Sequence, residues 1–292
     1  MWSIINDSRG QYNITFVKFV CSLPALITSR MRIFAISDIH IDYPENMRWV
    51  ENISHVDHQS DILIVAGDIS DNLHSLSRCF TELTNKFKHV CYTPGNHELW
   101  VIRDSNDKLD SLAKLDLVLQ RAGDCGVHTS PLETSNATII PLFSWYDFSF
   151  GEPQEKLLRV WNDFRACRWP DDLTIPNVAE YFFSLNRDTI AYFSSLDSTK
   201  DIITFSHFLP RIDLIPHFAW PSQGYLFPVF GSTHLIKQVQ SIRPKVHIYG
   251  HSHLNVDKTL DGIRYINNAF AYPSESHIAR KKLFEIRLDQ NN

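Results

Sequence analysis

Short apolar runs recur along the chain, and the first of them ends on a pair of polar side chains. It extends from Arg32 to Ser37 and is followed by Asp38 and His40. A short run that is apolar throughout and contains β-branched residues predicts a strand buried on both faces. In open α/β sheets, ligands bind beyond the carboxyl ends of the strands. We therefore place Asp38 and His40 at the edge of a functional site.

Four further apolar runs end in the same way. They lie at 62–66, 89–93, 202–205 and 246–249, and they lead into Gly67-Asp68, Gly95-Asn96-His97-Glu98, Ser206-His207 and Gly250-His251-Ser252-His253. Between the first three runs, apolar side chains recur every three or four positions at 45–58 and 73–87, which predicts helices. This alternation of strand and helix predicts parallel strands joined by right-handed crossovers.

The remaining pattern predicts further helices, further strands and two irregular segments. Helices are predicted at 108–122, 178–196 and 233–242, a strand at 138–142, and antiparallel strands at 256–260, 263–267 and 282–288. The irregular segments, at 143–176 and 209–228, are rich in aromatic residues. Long irregular connections often serve as caps or substrate-recognition loops. We expect the loops around Trp145 and Trp220 to influence specificity.

Composition and charge narrow the class of protein. The chain has 292 residues, of which 43% are hydrophobic, enough for one large domain with a substantial core. A formal net charge of -5 gives no general attraction to nucleic acid or to anionic membranes. No stretch reaches the roughly 20 continuous apolar residues of a membrane span. Bulk nucleic acid and membranes are therefore not expected partners, and the oligomeric state stays open.

Cysteine usage and the first thirty residues bear on location. The five cysteines are odd in number and form no C-x-x-C pair, which argues against a disulfide framework and favours a reducing, cytoplasmic location. Residues 1–30 contain three basic residues and one acidic residue, a bias shared with targeting segments. We interpret 1–30 as an N-terminal extension, either poorly ordered or targeting to an organelle, and 31–292 as one catalytic domain.

The polar residues that follow the five runs supply oxygen and nitrogen ligands and no sulfur. They are Asp38, His40, Asp68, Asn96, His97, His207, His251 and His253. Such a set suits two divalent ions such as Mn²⁺, Fe²⁺ or Zn²⁺. Two ions held about 3.5–4 Å apart usually share a carboxylate. Asp68 suits this bridge because it is the single ligand of its loop.

These motifs resemble the full signature of the calcineurin-like metallophosphoesterases. The motifs occur in the family order over residues 31 to about 270, as Asp38-Ile39-His40, Gly67-Asp68, Gly95-Asn96-His97-Glu98, His207 and Gly250-His251-Ser252-His253. The resemblance implies an α/β fold, a four-layer αββα sandwich of two mixed β-sheets flanked by helices. It also implies two ligand sets that share one carboxylate: Asp38, His40, Asp68 and His253 for one metal, and Asp68, Asn96, His207 and His251 for the other.

The resemblance, together with the chemistry of dinuclear sites, implies hydrolysis of a phosphoester. A hydroxide bridging both metals would attack phosphorus. Asn96 would help the metals to neutralise charge on the phosphoryl oxygens. His97, which is adjacent to a ligand but is not itself one, would protonate the leaving group.

Departures from two subfamilies narrow the substrate. Protein serine/threonine phosphatases of this superfamily carry an Arg after Gly-Asp and another before Gly-Asn-His, where this chain has Ile69 and Pro94. Purple acid phosphatases use Asp-x-Gly and a Tyr ligand after Gly-Asp, and neither feature is present. The chain looks closest to compact single-domain members of undefined substrate.

Residues that contact the substrate are less clearly indicated. Arg103, Tyr146 and Arg211 each follow a predicted site segment, and each is either a contact to the phosphate or its leaving group or an ordinary surface or loop residue. We expect hydrolysis of a small phosphomonoester or phosphodiester. The alternatives are a nucleotide-conjugate pyrophosphatase and a non-catalytic metal-binding scaffold of the same fold.

Overall fold

The computed structural model describes residues 5–6, 12–13, 31–104, 109–170, 173–196, 199–219 and 224–288. The chain packs as two units, Met1–Arg30 and Met31–Asn292. In the first unit, β1 (Ile5–Asn6) pairs antiparallel with β2 (Tyr12–Asn13). The prediction that residues 1–30 are poorly ordered or targeting concerns a segment whose other residues lie outside the described ranges.

The smaller sheet of the second unit contains the first three predicted strands. Its order is β12-β3-β4-β5, with β3 at Ile33–Ile36, β4 at Ile62–Ala66, β5 at His89–Thr93 and β12 at Phe284–Ile286. β3, β4 and β5 are mutually parallel, and β12 runs antiparallel to β3. The carboxyl ends of the three parallel strands therefore meet at one edge.

The larger sheet brings the two remaining histidine motifs to a common edge. Its order is β10-β11-β9-β8-β7-β6, with β6 at Leu132–Glu133, β7 at Ala137–Pro141, β8 at Asp201–Phe205, β9 at Val246–Tyr249, β10 at Val256–Leu260 and β11 at Ile263–Asn267. The four central strands are parallel, while β6 and β10 are antiparallel at the two edges.

Both faces of each central strand are buried, which explains why the strands read as continuous apolar runs. On β4, Ile62 and Ile64 pack in a cluster that includes Ile203 and Ile248 of the larger sheet, so the two sheets face each other. The intervening Leu63 packs instead in a cluster with the helices on the outer face. The larger sheet has its own outer helical layer. The architecture is the expected four-layer αββα sandwich.

The helices cover the two outer faces of the sandwich. They are α1 (Pro44–Glu51), α2 (Leu73–Thr84), α3 (Ser111–Asp124), α4 (Glu155–Val160), α5 (Asp163–Ala166), α6 (Ile175–Leu185), α7 (Arg187–Ser195) and α8 (Thr233–Ile242). In the part of the chain that the structure describes, no helix is both long and apolar enough to cross a membrane.

Two predicted helices differ most from the observed ones. The first was predicted to reach residue 58 but ends at Glu51, because the Ser54 hydroxyl accepts the backbone N–H groups of Val56 and Asp57 and so offers them a turn instead. The second, predicted at 178–196, is two helices that meet at Asn186. The side chain of Asn186 accepts the backbone N–H of Phe143, which fixes the break between α6 and α7.

Candidate metal centre

The backbone is strained where the strands end. Five of the nine non-glycine residues with positive φ among those described are predicted metal ligands: Asp38, His40, Asp68, His251 and His253. Non-glycine residues rarely adopt this conformation, and each one costs about 1–3 kcal/mol where it does. Such strain persists only where the surrounding structure enforces it, and it concentrates here at one edge of the two sheets.

Glu98 ties two of these loops together. Its buried carboxylate accepts four backbone N–H groups: from Gly95 at 2.7 Å, Asp68 at 3.1 Å, Ile69 at 2.5 Å and Ser70 at 3.2 Å. Burial and the nearby Asp68 carboxylate raise the pKa of Glu98, and the backbone donors oppose that shift. The loops after β4 and β5 are therefore held by one side chain.

Gly95 is required for close approach rather than for a turn with positive φ. Its φ is not positive, and Asn96 has a φ of -74°. A Cβ atom at position 95 would collide with the Asp68 carboxylate and the His207 ring. The Gly-Asn pair thus brings one loop against another.

Replacing Glu98 with glutamine is expected to destabilise the metal-free protein by about 2–4 kcal/mol, because an NH₂ group would face two buried N–H donors. Urea unfolding measures this loss. Glu155→Gln is the matched control. Glu155 lies in an exposed i,i+4 ion pair with Arg159, which contributes about 0.5 kcal/mol or less. Equal stabilities of the two variants would contradict the anchoring role of Glu98.

Three members of the first predicted ligand set, Asp38, His40 and His253, lie close together. His40 Nε2 lies 3.1 Å from His253 Nε2, and His253 Nε2 lies 3.4 Å from Asp38 Oδ1. The other ring nitrogen of His253, Nδ1, lies 2.7 Å from Glu275 Oε2. Glu275 thereby orients His253, with Nδ1–H donated to the carboxylate and Nε2 directed toward Asp38 and His40.

The members of the second predicted set are gathered around His207. His207 Nε2 lies 3.1 Å from both Asn96 Oδ1 and His251 Nδ1, and 3.4 Å from Asp68 Oδ2. The remaining ring nitrogens face backbone carbonyl oxygens, His207 Nδ1 that of Ala66 and His251 Nε2 that of Val229. These bonds select the tautomers that leave His207 Nε2 and His251 Nδ1 as bare acceptors.

The spacing of these atoms fits metal coordination. Metal–nitrogen bonds of about 2.0–2.1 Å place neighbouring ligand atoms about 3.0–3.4 Å apart in tetrahedral or octahedral geometry. The observed separations of 3.1–3.4 Å lie in that range. Two nitrogen lone pairs that face each other this closely require a cation between them, either a proton or a metal ion.

Each ligand set contains one histidine whose pKa is raised. Burial opposes protonation of His207, but the Asp68 carboxylate outweighs it and raises the pKa to about 9. In the other set, burial is outweighed by Asp38, and the pKa of His253 rises to about 10. By contrast, burial and the neighbouring His207 lower the pKa of His251 to about 3. Each ligand set thus pairs one histidine with a carboxylate that favours the protonated form of its ring.

His97 lies beside the two ligand sets, and its side chain is partly exposed to solvent. Its ring stacks on Trp100 with a centroid separation of 3.7 Å, and its backbone N–H donates to Asp68 Oδ1. Its Nε2 lies 3.7 Å from Asp68 Oδ2. His97, His40 and Asp68 also form a third group that could hold a metal ion. The position of His97 is thus compatible with the predicted acid and with an additional ligand.

Comparison with known proteins identifies the family. Residues 31–255 match the family profile described as calcineurin-like phosphoesterase. The chain belongs to the calcineurin-like phosphoesterases. Over 266 residues, it is 25% identical to the acyl-carrier-protein phosphodiesterase PptH of Mycobacterium tuberculosis (strain ATCC 25618 / H37Rv), across 83% of this chain and 78% of the relative. The protein described here is therefore a metal-dependent phosphoester hydrolase.

A solved structure has the same architecture. The crystal structure of phosphopantetheinyl hydrolase (PptH) from Mycobacterium tuberculosis matches this phosphoesterase with a TM-score of 0.74 and 25% sequence identity. The match covers 88% of this chain and 96% of the other. The resemblance in sequence therefore extends to the arrangement of both sheets.

The three residues predicted to contact substrate are either buried or engaged in ion pairs. In this phosphoesterase, Arg103 is mostly exposed and pairs with Asp71. The guanidinium of Arg211 is bound by two carboxylates, those of Asp213 and Asp261. These contacts give no support to a role in substrate binding for either arginine.

The aromatic residues of the segment at 143–176 are mainly core. Tyr146 is fully buried, and burial together with the nearby Asp163 carboxylate raises its pKa well above the ordinary value. Trp145 packs against Phe182 and Phe208, so it cannot contact substrate directly. Trp220 lies outside the described residues.

Several residues that shape the site were missed in the sequence. They are Trp100, Trp161, Asp163, Tyr272 and Glu275. Trp100 and Tyr272 stack on His97 and His40, while Asp163 accepts a hydrogen bond from Asn96. The available signal was weak: one acidic residue within the aromatic tract at 161–169, and a Tyr-Pro-Ser-Glu turn beyond the last motif.

Proposed function

We propose that this protein is a dinuclear metal-dependent phosphodiesterase. The observation that carries the proposal is that Asp68 belongs to two groups that could hold a metal ion, one with His40 and His97 and the other with His207 and His251. Asp38, His40 and His253 would complete one metal site, and Asn96, His207 and His251 the other. Mn²⁺, Fe²⁺ and Zn²⁺ all suit this mixture of nitrogen and oxygen ligands. When bound, the two ions would supply Lewis acidity and an activated water at neutral pH.

The protein's own groups would orient the substrate and manage one proton. Asn96 presents its carbonyl oxygen to the second site, and its orientation is fixed because its amide nitrogen donates to Asp163 at 2.9 Å. His97 would donate a proton to the departing oxygen. Trp100 holds the His97 ring by stacking. The ring is thereby kept beside the ligand sets, where a leaving group would be released.

A cleft beside His97 favours an uncharged leaving group. The cleft has a volume of about 260 Å³, and Trp100, Trp161, Tyr225 and Tyr272 are among the side chains that line it. None of its lining residues in the described part of the chain is Lys or Arg, and the sequence at 220–223 contains neither. Two lysines contact lining residues: Lys156 Nζ lies 4.2 Å from the Tyr225 ring centroid, and Lys281 Nζ donates to the Tyr272 carbonyl oxygen at 2.9 Å. A second phosphate in this cleft would find no Lys or Arg side chain among the described lining residues.

This composition supports a phosphodiester over a nucleotide pyrophosphate. The leaving group of a pyrophosphatase carries its own phosphate, which is commonly bound by Arg or Lys. The leaving group of a phosphodiesterase is an alcohol, which needs only a proton. The Mycobacterium tuberculosis relative is named as an acyl-carrier-protein phosphodiesterase and as a phosphopantetheinyl hydrolase. We therefore propose the phosphodiester between a carrier protein and phosphopantetheine as the first substrate to test.

The test is a substrate panel with the metal-loaded protein. Phosphopantetheine-bearing carrier protein, a nitrophenyl phosphodiester, a nitrophenyl phosphomonoester and a dinucleotide pyrophosphate would be compared, with intact mass reporting the release of phosphopantetheine. We expect cleavage of the carrier and of the chromogenic diester, at rates well above that of the pyrophosphate. A preference for the pyrophosphate would overturn the substrate class. A protein that binds two ions and is inert to every compound would favour the scaffold.

A further inference from the structure

Asp163 is a buried carboxylate outside both ligand sets, and it accepts three side-chain N–H groups. Asn96 Nδ2 and Trp100 Nε1 donate to its Oδ1 at 2.9 and 2.7 Å, and Trp161 Nε1 donates to its Oδ2 at 2.7 Å. Asp163 is the first residue of α5, which lies within the segment at 143–176 that was predicted only as a cap or recognition loop. A buried carboxylate is costly unless it is well hydrogen-bonded, and these donors come from two separate parts of the chain.

The first consequence concerns which end of the Asn96 amide faces the metal centre. A carboxylate only accepts hydrogen bonds, so the NH₂ group of Asn96 must point toward Asp163. Its Oδ1 then points the opposite way, where it lies 3.1 Å from His207 Nε2. Without Asp163, the amide could rotate and present NH₂, which cannot bind a cation.

The second consequence concerns the two indoles. Trp100 is held by Asp163 on one side and stacks on the His97 ring on the other. Trp161 places its ring 5.7 Å from that of His251, edge to face. Both indoles also line the cleft beside His97. One carboxylate is thus connected, through single side chains, to a ligand of the second set, to the predicted acid and to the cleft wall.

We propose that Asp163 is a positioning residue that fixes the Asn96 amide, so that its oxygen is presented to the second metal site, and fixes Trp100, so that His97 is held beside that site. The proposal rests on the proposed dinuclear function. The proposed effect of Asp163 is one of orientation and not of negative charge in general, because each of the three donors binds a defined oxygen of the carboxylate.

The test uses Asp163→Asn, Trp161→Phe and the double variant. In Asp163→Asn, the single oxygen can serve Asn96 and Trp100 only if the new NH₂ group faces the Trp161 N–H, and that contact is repulsive. Trp161→Phe removes the opposing donor while keeping an aromatic ring. The double variant therefore permits the original orientation of Asn96 without the negative charge.

Calorimetric titration of Mn²⁺ into the metal-free proteins is the principal readout. We expect Asp163→Asn to weaken the affinity of one of the two Mn²⁺ binding events by roughly 10–100-fold, the usual effect of replacing a residue that orients a metal ligand. The affinity of the other event should stay within a few-fold of the wild-type value. Trp161→Phe should keep both affinities, and the double variant should recover the weakened one. An unrecovered double variant would assign the effect to charge, and unchanged affinities in Asp163→Asn would assign Asp163 a purely structural role. Either result overturns the proposal.

Two additional observations separate this proposal from the proposed function. Indole N–H resonances of metal-free protein report the bonds from Trp100 and Trp161 directly, so Asp163→Asn should shift both signals even if no substrate is found. A wild-type protein that binds fewer than two ions would instead defeat the dinuclear function. If Asp163→Asn does not fold, the double variant decides the question. We expect the double variant to bind both ions normally. Loss of one ion in the double variant would contradict the proposal.

Discussion

Asp68→Asn is expected to abolish binding of at least one of two metal ions and to lower kcat/KM by at least about 10³-fold, because activation of water at neutral pH depends on the metals. Asp68 is the carboxylate that the two predicted ligand sets have in common, and His207 Nε2 lies 3.4 Å from its Oδ2. Asparagine preserves the size of the side chain and an oxygen for the His97 backbone N–H, which now donates at 3.0 Å. The fold should therefore survive.

Metal content by mass spectrometry and turnover of a chromogenic diester check this expectation. Asp257→Asn is the matched control, since Asp257 lies on the edge strand β10 and forms an ion pair with Arg264 of β11, away from the predicted ligands. The control should bind two ions and keep its activity. If Asp68→Asn retained both ions with normal affinity, the bridging role would be wrong.

His97→Ala is expected to lower kcat by about 10²–10⁴-fold, the usual contribution of a general acid, while both metal ions stay bound. The loss should be larger for an alkyl phosphodiester than for a nitrophenyl phosphodiester. A nitrophenolate departs without needing a proton, whereas an alkoxide does not. A comparison of the two substrates therefore isolates the proton donated by the imidazole from its other contacts.

Metal content decides between the two roles that the position of His97 allows. As a member of a potential ligand group with His40 and Asp68, His97 could bind an ion directly. In that case His97→Ala would lose an ion, and equal losses of rate would follow for both leaving groups. His89→Ala is a suitable control, because His89 lies on β5 and faces His128 instead of the metal centre.

The strands and their order of appearance were predictable because their signal is local. β4, β5, β9, β10 and β11 have the predicted bounds. A strand buried on both faces must be apolar at every position, so its sequence is continuous and its end is abrupt. Helix ends were less predictable. The break at Asn186 depends on a backbone N–H from residue 143, which is distant in the sequence.

The ligand positions follow from the same local rule. A polar side chain directly after a buried strand lies at the sheet edge, and parallel strands bring such edges together. This placed the predicted ligands near one another, and the resemblance to a family supplied their division into two sets. No comparable rule predicts which residues contact the substrate. Arg211 follows a strand end, yet its charge is neutralised by Asp213 and Asp261.

The sequence by itself determined the strands and the polar residues that follow them, because apolar periodicity is a property of neighbouring residues. The order of its motifs indicated the family, and the resemblance to that family implied the sandwich of two sheets. Only the tertiary structure decided how those residues are oriented. Glu98 holds two loops, Glu275 sets the tautomer of His253, and Asp163 faces the Asn96 amide. Each is a hydrogen bond between an acceptor and donors fixed by folding, and no spacing along the chain encodes which donor a buried carboxylate will meet.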